Sequence, residues 1–261
     1  MDTLEKSDFP VTRRTMDLLD GWVMALASPL LPLQEVLVEL HHIRGFRWEF
    51  REETERALLV GKAVRMVSGI RVALNLADMG YIAECGTILR TVSDFANEIF
   101  SICEGCIKGT PTTAQVRFVR QYFAPMAKTP DEYDAQERER WVTRDELLTA
   151  HCRMVAELKG DADYTRKKFR FLAYGYDKFV HGAYITATEL YDGRTNKFML
   201  RGHEAVEKKE EYKRATASKL HEVHTALVSM ANVANMPALV QIICTNAMEL
   251  YQSGELSSDG I

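Results

Sequence analysis

The 261-residue chain is 46% hydrophobic and 27% charged, the balance of a globular protein rather than a disordered one. A formal net charge of −4 excludes a protein that coats nucleic acid with a broad basic surface, and leaves room for a small local basic site. The length allows one large helical core or two smaller ones.

The chain opens Met1-Asp2-Thr3-Leu4-Glu5-Lys6-Ser7-Asp8, polar and acidic where a secretory leader is basic and then apolar. A first amphipathic helix is predicted over Thr12 to Ser28, with Met16, Leu19, Trp22, Val23 and Leu26 at helical spacing and Pro29 as its stop. The longest apolar run, Val23 to Leu33, is too short to span a bilayer and holds Pro29 and Pro32, so no membrane association is expected. Pro32 opens a second predicted helix carrying Leu33, Val36, Leu37, Leu40 and Ile43. A third covers Thr54 to Met79 and ends at Gly80, a residue suited to a left-handed cap. A fourth covers Tyr81 to Lys108, repeating Ile82, Cys85, Ile88, Leu89, Val92, Ala96, Ile99 and Cys103 before Gly109 and Pro111.

Thr110 to Pro130 reads as loops around a short helix, and Asp131 to Arg140 as a charged, solvated helix face. Thr143-Arg144-Asp145-Glu146 has the form of a capping box, starting a helix that ends near Gly160. Another helix follows over Asp163 to Leu190. Asp192-Gly193 makes a turn, with Lys197 to Leu200 as an extended piece or hairpin arm. A long helix over Glu204 to Asn235 breaks at Pro237, and a last one reaches Tyr251. The expected architecture is all-α: a single bundle of roughly eight helices over 1–252 with at most a small hairpin, and a disordered tail over 253–261. Five cysteines (Cys85, Cys103, Cys106, Cys152, Cys244) in a chain able to build its own core read as reduced thiols in a cytoplasm.

The helix over Asp163 to Leu190 is the most informative. At about 100° per residue, Arg170, Tyr174, Asp177, His181, Tyr184 and Thr188 fall within about 80° of one another. Leu172, Tyr176, Phe179 and Ala183 make the opposite, packing side. Phosphodiester chemistry needs a proton acceptor and a cation near the developing charge, which His181 and Arg170 supply, with Asp177 one turn before His181 to fix its tautomer. A solvent-facing surface with an i,i+4 Asp–His contact is the competing explanation, although solvated faces usually carry Lys and Glu. In the fourth helix Arg90 and Asp94 share a small polar side with Thr87 and Ser101 on an otherwise charge-poor segment. They form either a structural ion pair or part of a site.

Metal motifs are incomplete. Cys103-x-x-Cys106 has no second pair at zinc spacing, Glu39-x-x-His42 has no second Glu-x-x-His, and His221 with His224 lacks an acidic third ligand. No phosphate loop, dinucleotide fingerprint or nucleophile elbow occurs, and no metal or cofactor is expected.

The segment Gly80-Tyr81-Ile82-Ala83-Glu84-Cys85-Gly86-Thr87-Ile88-Leu89-Arg90-Thr91-Val92-Ser93-Asp94 resembles a motif of a bacterial family of uncharacterised helical proteins, a glycine before a helix reading small–x–x–L–R–x–x–x–acidic. Tyr174 to Gly182, ending Phe179-Val180-His181-Gly182, is similar to that family's second motif, and the order and the spacing of about 90 residues agree. That family is in turn similar to the HEPN superfamily (higher eukaryotes and prokaryotes nucleotide-binding). The resemblance covers about Thr54 to Leu190. It implies a helical bundle, often a homodimer, and metal-independent ribonuclease activity or nucleotide binding in a defence or toxin-like role. His181 matches the histidine that ends the HEPN motif. The arginine expected four to six intervening residues earlier is replaced by Tyr174, Gly175 or Tyr176, leaving Arg170 or Arg90 as the available cation.

On this reading His181, Asp177 and Arg170 are the catalytic candidates, and Arg90, Asp94, Tyr174 and Tyr184 the substrate-binding ones. The partners are RNA or a nucleotide, a second copy of the chain, and a protein partner such as an antitoxin. The alternative is a non-catalytic helical interaction module whose stripe binds a partner protein or a small anion.

Overall fold

The structure, a computed structural model, describes residues 9–28, 34–40, 43–124, 129–138, 141–149, 152, 161–181 and 188–255. In chain order these form α1 (Pro10–Ala27), β1 (Gln34–Leu40), β2 (Ile43–Glu49), α2 (Glu55–Met79), α3 (Ile82–Lys108), α4 (Thr113–Phe123) and α5 (Pro130–Arg138). Then come α6, described over 144–149, α7 (Ala162–Val180), β3 (Tyr191–Asp192), β4 (Lys197–Phe198), α8 (Val206–Val233) and α9 (Pro237–Gln252). The protein is an all-α bundle carrying two small antiparallel hairpins.

Local chemistry sets the helix ends. The Thr54 side chain accepts from the Ala57 amide to start α2. Gly80 ends it in the left-handed region (φ 81°), with the Tyr81 amide reaching back to Leu76 O at 2.8 Å. The expected capping box before α6 is reciprocal: the Glu146 amide donates to Thr143 Oγ1 at 3.3 Å and the Thr143 amide to the Glu146 carboxylate at 2.8 Å. Gly80 also lies under the segment leading into α8, and the His203 amide donates to Gly80 O at 2.7 Å. A Cβ at Gly80 would run into the His203 carbonyl.

One core joins α1, α2, α3, α8 and α9, with Leu19, Leu58, Met66, Ile70, Ile82, Leu89, Ile99, Leu220, Leu227 and Ile243 fully buried. Each such side chain contributes roughly 1.5–3 kcal/mol of transfer free energy. The α2–α3 hairpin forms its centre, with α8 across both and α7 packed against α3. Among the described side chains of α7, Phe179 packs on the core while Tyr164, Phe171 and Tyr174 are exposed.

Two expectations fail. The helix predicted from Pro32 to Ile43 is instead the hairpin arm β1, paired antiparallel with β2 so that Leu37 opposes Phe46 and Leu40 opposes Ile43. Val36, Val38, Ile43, Phe46 and Trp48 prefer the pleated conformation, and a short apolar run carries helical and strand spacing at once. His42, of the Glu39-x-x-His42 motif, lies outside the described residues. Glu255, within the segment expected to be a tail, is held against α1. Glu255 Oε1 accepts from the Val11 amide at 2.9 Å, and Oε2 accepts from the Thr12 amide at 2.8 Å and Thr12 Oγ1 at 2.7 Å. Helix α1 has no side-chain cap of its own at Phe9, so this carboxylate satisfies its first amides and sits at the positive end of its dipole. Residues 256–261 lie outside the described residues.

Candidate functional site

The two motifs singled out in the sequence meet where α3 packs on α7. Gly86 makes this possible: a Cβ there would come within 2.6 Å of the Phe179 ring, so only a glycine lets α7 lie this close. One turn later Arg90 is 7% exposed. Its Nε donates to Asp177 Oδ1 at 2.6 Å and its Nη1 pairs with Asp94. Arg144 of α6 closes the cluster, its Nε 3.5 Å from Asp94 Oδ1 and its Nη1 3.6 Å from Asp177 Oδ2. Burial disfavours the charge on Arg90, but the hydrogen bonds and charges of Asp94 and Asp177 outweigh it and raise its pKa. Two guanidinium groups and two carboxylates balance, so the cluster is a neutral brace.

A second ion pair lies one turn further along α3. Lys62 Nζ is 2.7 Å from Glu98 and stands 5.1, 5.4 and 5.2 Å from the ring centroids of Phe95, Phe118 and Tyr122. Burial pushes the Glu98 carboxyl up, and the Lys62 ammonium opposes it.

The structure divides the predicted stripe of α7. Asp177 turns to the brace, with one carboxylate oxygen towards Arg90 and the other towards Arg144. It makes no side-chain contact with His181, which the sequence reading expected it to orient. His181 caps the C-terminal end of α7, its backbone amide donating to Asp177 O at 3.1 Å. Its ring is exposed, and among the described residues it makes no hydrogen bond or ion pair. Arg170 is exposed and ion-paired with Asp145, its Nε 3.2 Å from Oδ1, which raises its pKa. Eleven residues separate Arg170 from His181, about 16 Å along the axis, too far for both to touch one phosphate. Tyr174 is 58% exposed with the Lys178 ammonium 4.4 Å from its ring centroid. Tyr184 lies outside the described residues. Of the predicted packing side, Phe179 is half-buried and meets the Tyr212 ring edge-on at 6.1 Å.

Two arrangements were not foreseen. Tyr164, Lys167, Phe171, Tyr174, Lys178 and His181 follow one another at alternating steps of three and four residues, forming an outward line along α7. Its aromatic members are 66%, 74% and 58% exposed. Beside it, a flank of Arg166, Arg170 and Asp177 faces α6, and an open cleft of about 660 Å³ is lined there by Thr143, Arg144, Asp145, Glu146, Thr149, Arg166 and Arg170. Phe171 belongs to neither the polar stripe nor the packing side read from the sequence. Arg144 was visible only as part of a capping box.

Among the described residues no three His, Cys, Asp or Glu side chains converge as a metal-ligand set. All five cysteines are free thiols; Cys103 is buried and Cys106 exposed. Also among the described residues, no helix is long and apolar enough to cross a membrane. Comparison with protein-family models, with curated proteins and with solved structures finds no match.

Proposed function

We propose that the protein binds single-stranded RNA along the outer line of α7. The observation that carries this reading is the alternation of exposed aromatic and basic side chains: Tyr164, Lys167, Phe171, Tyr174, Lys178. Phe171 at 74% exposure gains nothing from the bundle. An unpaired base offers it a π-face, and such stacking contributes about 1–3 kcal/mol per base. Lys167, Lys178 and Arg170 lie beside these rings and match the phosphates between bases. The resemblance of the α3 and α7 motifs to nucleotide-binding helical bundles points the same way.

Binding is favoured over cleavage. His181 ends the line as a group able to move a proton, but Asp177 and Arg90 are committed to the brace. The remaining arginine of the stripe, Arg170, is about 16 Å away along the helix.

Fluorescence anisotropy with a labelled single-stranded RNA tests the proposal. Phe171→Ala with Tyr174→Ala is expected to weaken binding by more than about tenfold, using the stacking values above. Three cations on the strand predict a log–log salt slope of about −2. Salt-independent binding, or binding indifferent to both substitutions, contradicts it.

The same three-and-four spacing fits the seam of a paired helix, which favours an interaction module as the second reading. Sedimentation distinguishes them: a wild-type dimer dispersed by Phe171→Asp, with no RNA bound by either form, assigns the line to a helical partner.

A further inference from the structure

We infer that the cleft between α6 and α7 is a binding site for a phosphomonoester, carried either by a free nucleotide or by the end of an RNA chain. It lies on the flank of α7 rather than on its outer line, and its argument stands without the RNA-binding reading.

Among the described residues the charges around the cleft do not balance. Glu146 is matched by Arg117 at 2.9 Å, Asp145 by Arg170, and Arg144 is shared with the brace, in which Arg90 and Arg144 offset Asp94 and Asp177. That leaves Arg166. Among the described residues its guanidinium hydrogen-bonds the Thr149 hydroxyl and meets no carboxylate. Arg144 Nε is buried and lacks a hydrogen-bond partner of good geometry among the described residues, although Asp94 is 3.5 Å away.

Arg166 and Arg170 are four residues apart on one helix, where like charges repel. An anion between them removes that repulsion. The Arg170–Asp145 pair is exposed, so exchanging Asp145 for a ligand oxygen carries a small penalty. Once Asp145 has moved, two guanidinium forks face the cleft, a match in geometry for the oxygens of a phosphate. The cleft, about 660 Å³, is open to solvent.

Isothermal titration of the full chain with AMP, adenosine and inorganic phosphate tests this. AMP is expected to bind at least about tenfold more tightly than adenosine, the loss that removing charge-assisted hydrogen bonds implies. Inorganic phosphate should compete with AMP. Arg166→Gln should remove the advantage of AMP, Arg166→Lys should keep part of it, and Lys197→Gln on β4 should leave it intact. AMP binding no tighter than adenosine overturns the inference, as does an Arg166→Gln protein that binds AMP like wild type. Should the variants unfold by circular dichroism, the wild-type comparison of AMP with adenosine decides alone.

A second arm identifies the source of the phosphate. An RNA with a 5′-phosphate that outbinds its 5′-hydroxyl twin, with the gain lost in Arg166→Gln, assigns the chain end. Equal binding of the two RNAs while AMP still binds assigns the free nucleotide. Failure of the outer line to bind RNA leaves the AMP titration unchanged, so the two readings fail separately.

Discussion

Removing the Arg90 guanidinium leaves Asp94 and Asp177 facing each other across α3 and α7, with Arg144 alone to offset them. A fully buried broken pair costs about 3–5 kcal/mol and a surface pair about 0–1. The two carboxylates are 35% and 38% exposed, so Arg90→Met is expected to cost about 2 kcal/mol, measurable by urea denaturation. Asp177→Asn should cost less, because Asp94 still pairs with the buried guanidinium. At the other end of the chain, Glu255→Ala should cost about 1 kcal/mol, the usual value of a lost helix cap. The Arg90–Asp94 pair was legible from its i,i+4 spacing on a charge-poor helix. Asp177 was legible as a polar position but not as its partner, since a helical period gives a direction around the axis and not the neighbour met there. Glu255 was not legible, because its partners are 243 and 244 residues away.

The docking of α7 onto α3 depends on one small residue. Gly86→Val forces the Phe179 ring away, an overpacking that costs about 1–3 kcal/mol and falls on α7. Limited trypsin digestion should cut faster at Lys167 and Lys178 in this variant; unchanged cutting contradicts the close approach. Helix boundaries were legible wherever a cap or breaker marks them, as at Gly80, at Thr143 with Glu146, and at Pro237. The β1–β2 hairpin was missed because Leu33, Val36, Leu37 and Leu40 satisfy a helical spacing while the same stretch alternates as a strand. The outer line of α7 was missed for a related reason. Spacing cannot say that Phe171 faces water until the side of α7 against α3 is known.

For the molecule as a whole, the buried histidine of the core contributes to how stability responds to acid. His224 is 2% exposed, its Nε2 2.9 Å from Asn246 Oδ1 and its ring beside Trp22. Burial lowers its pKa below the ordinary value, against the opposing hydrogen bonds from Asn246 and the Leu220 backbone. An unfolded histidine titrates near about 6.5, so above that pH neither state binds the proton and the contribution is fully present. As pH falls below it, the unfolded chain takes up a proton that the folded one refuses, and stability drops. Thermal unfolding between pH 7.5 and pH 5 should show a smaller loss of Tm in His224→Gln than in wild type; equal losses contradict this assignment. Covalent mapping tests RNA binding on the outer line of α7. Single-stranded RNA carrying 4-thiouridine is irradiated on the full chain, and the linked peptides are identified by mass spectrometry. The account predicts cross-links at Tyr164, Phe171 and Tyr174 of α7. Cross-links confined to other elements, or none from an RNA shown to be bound, would contradict it.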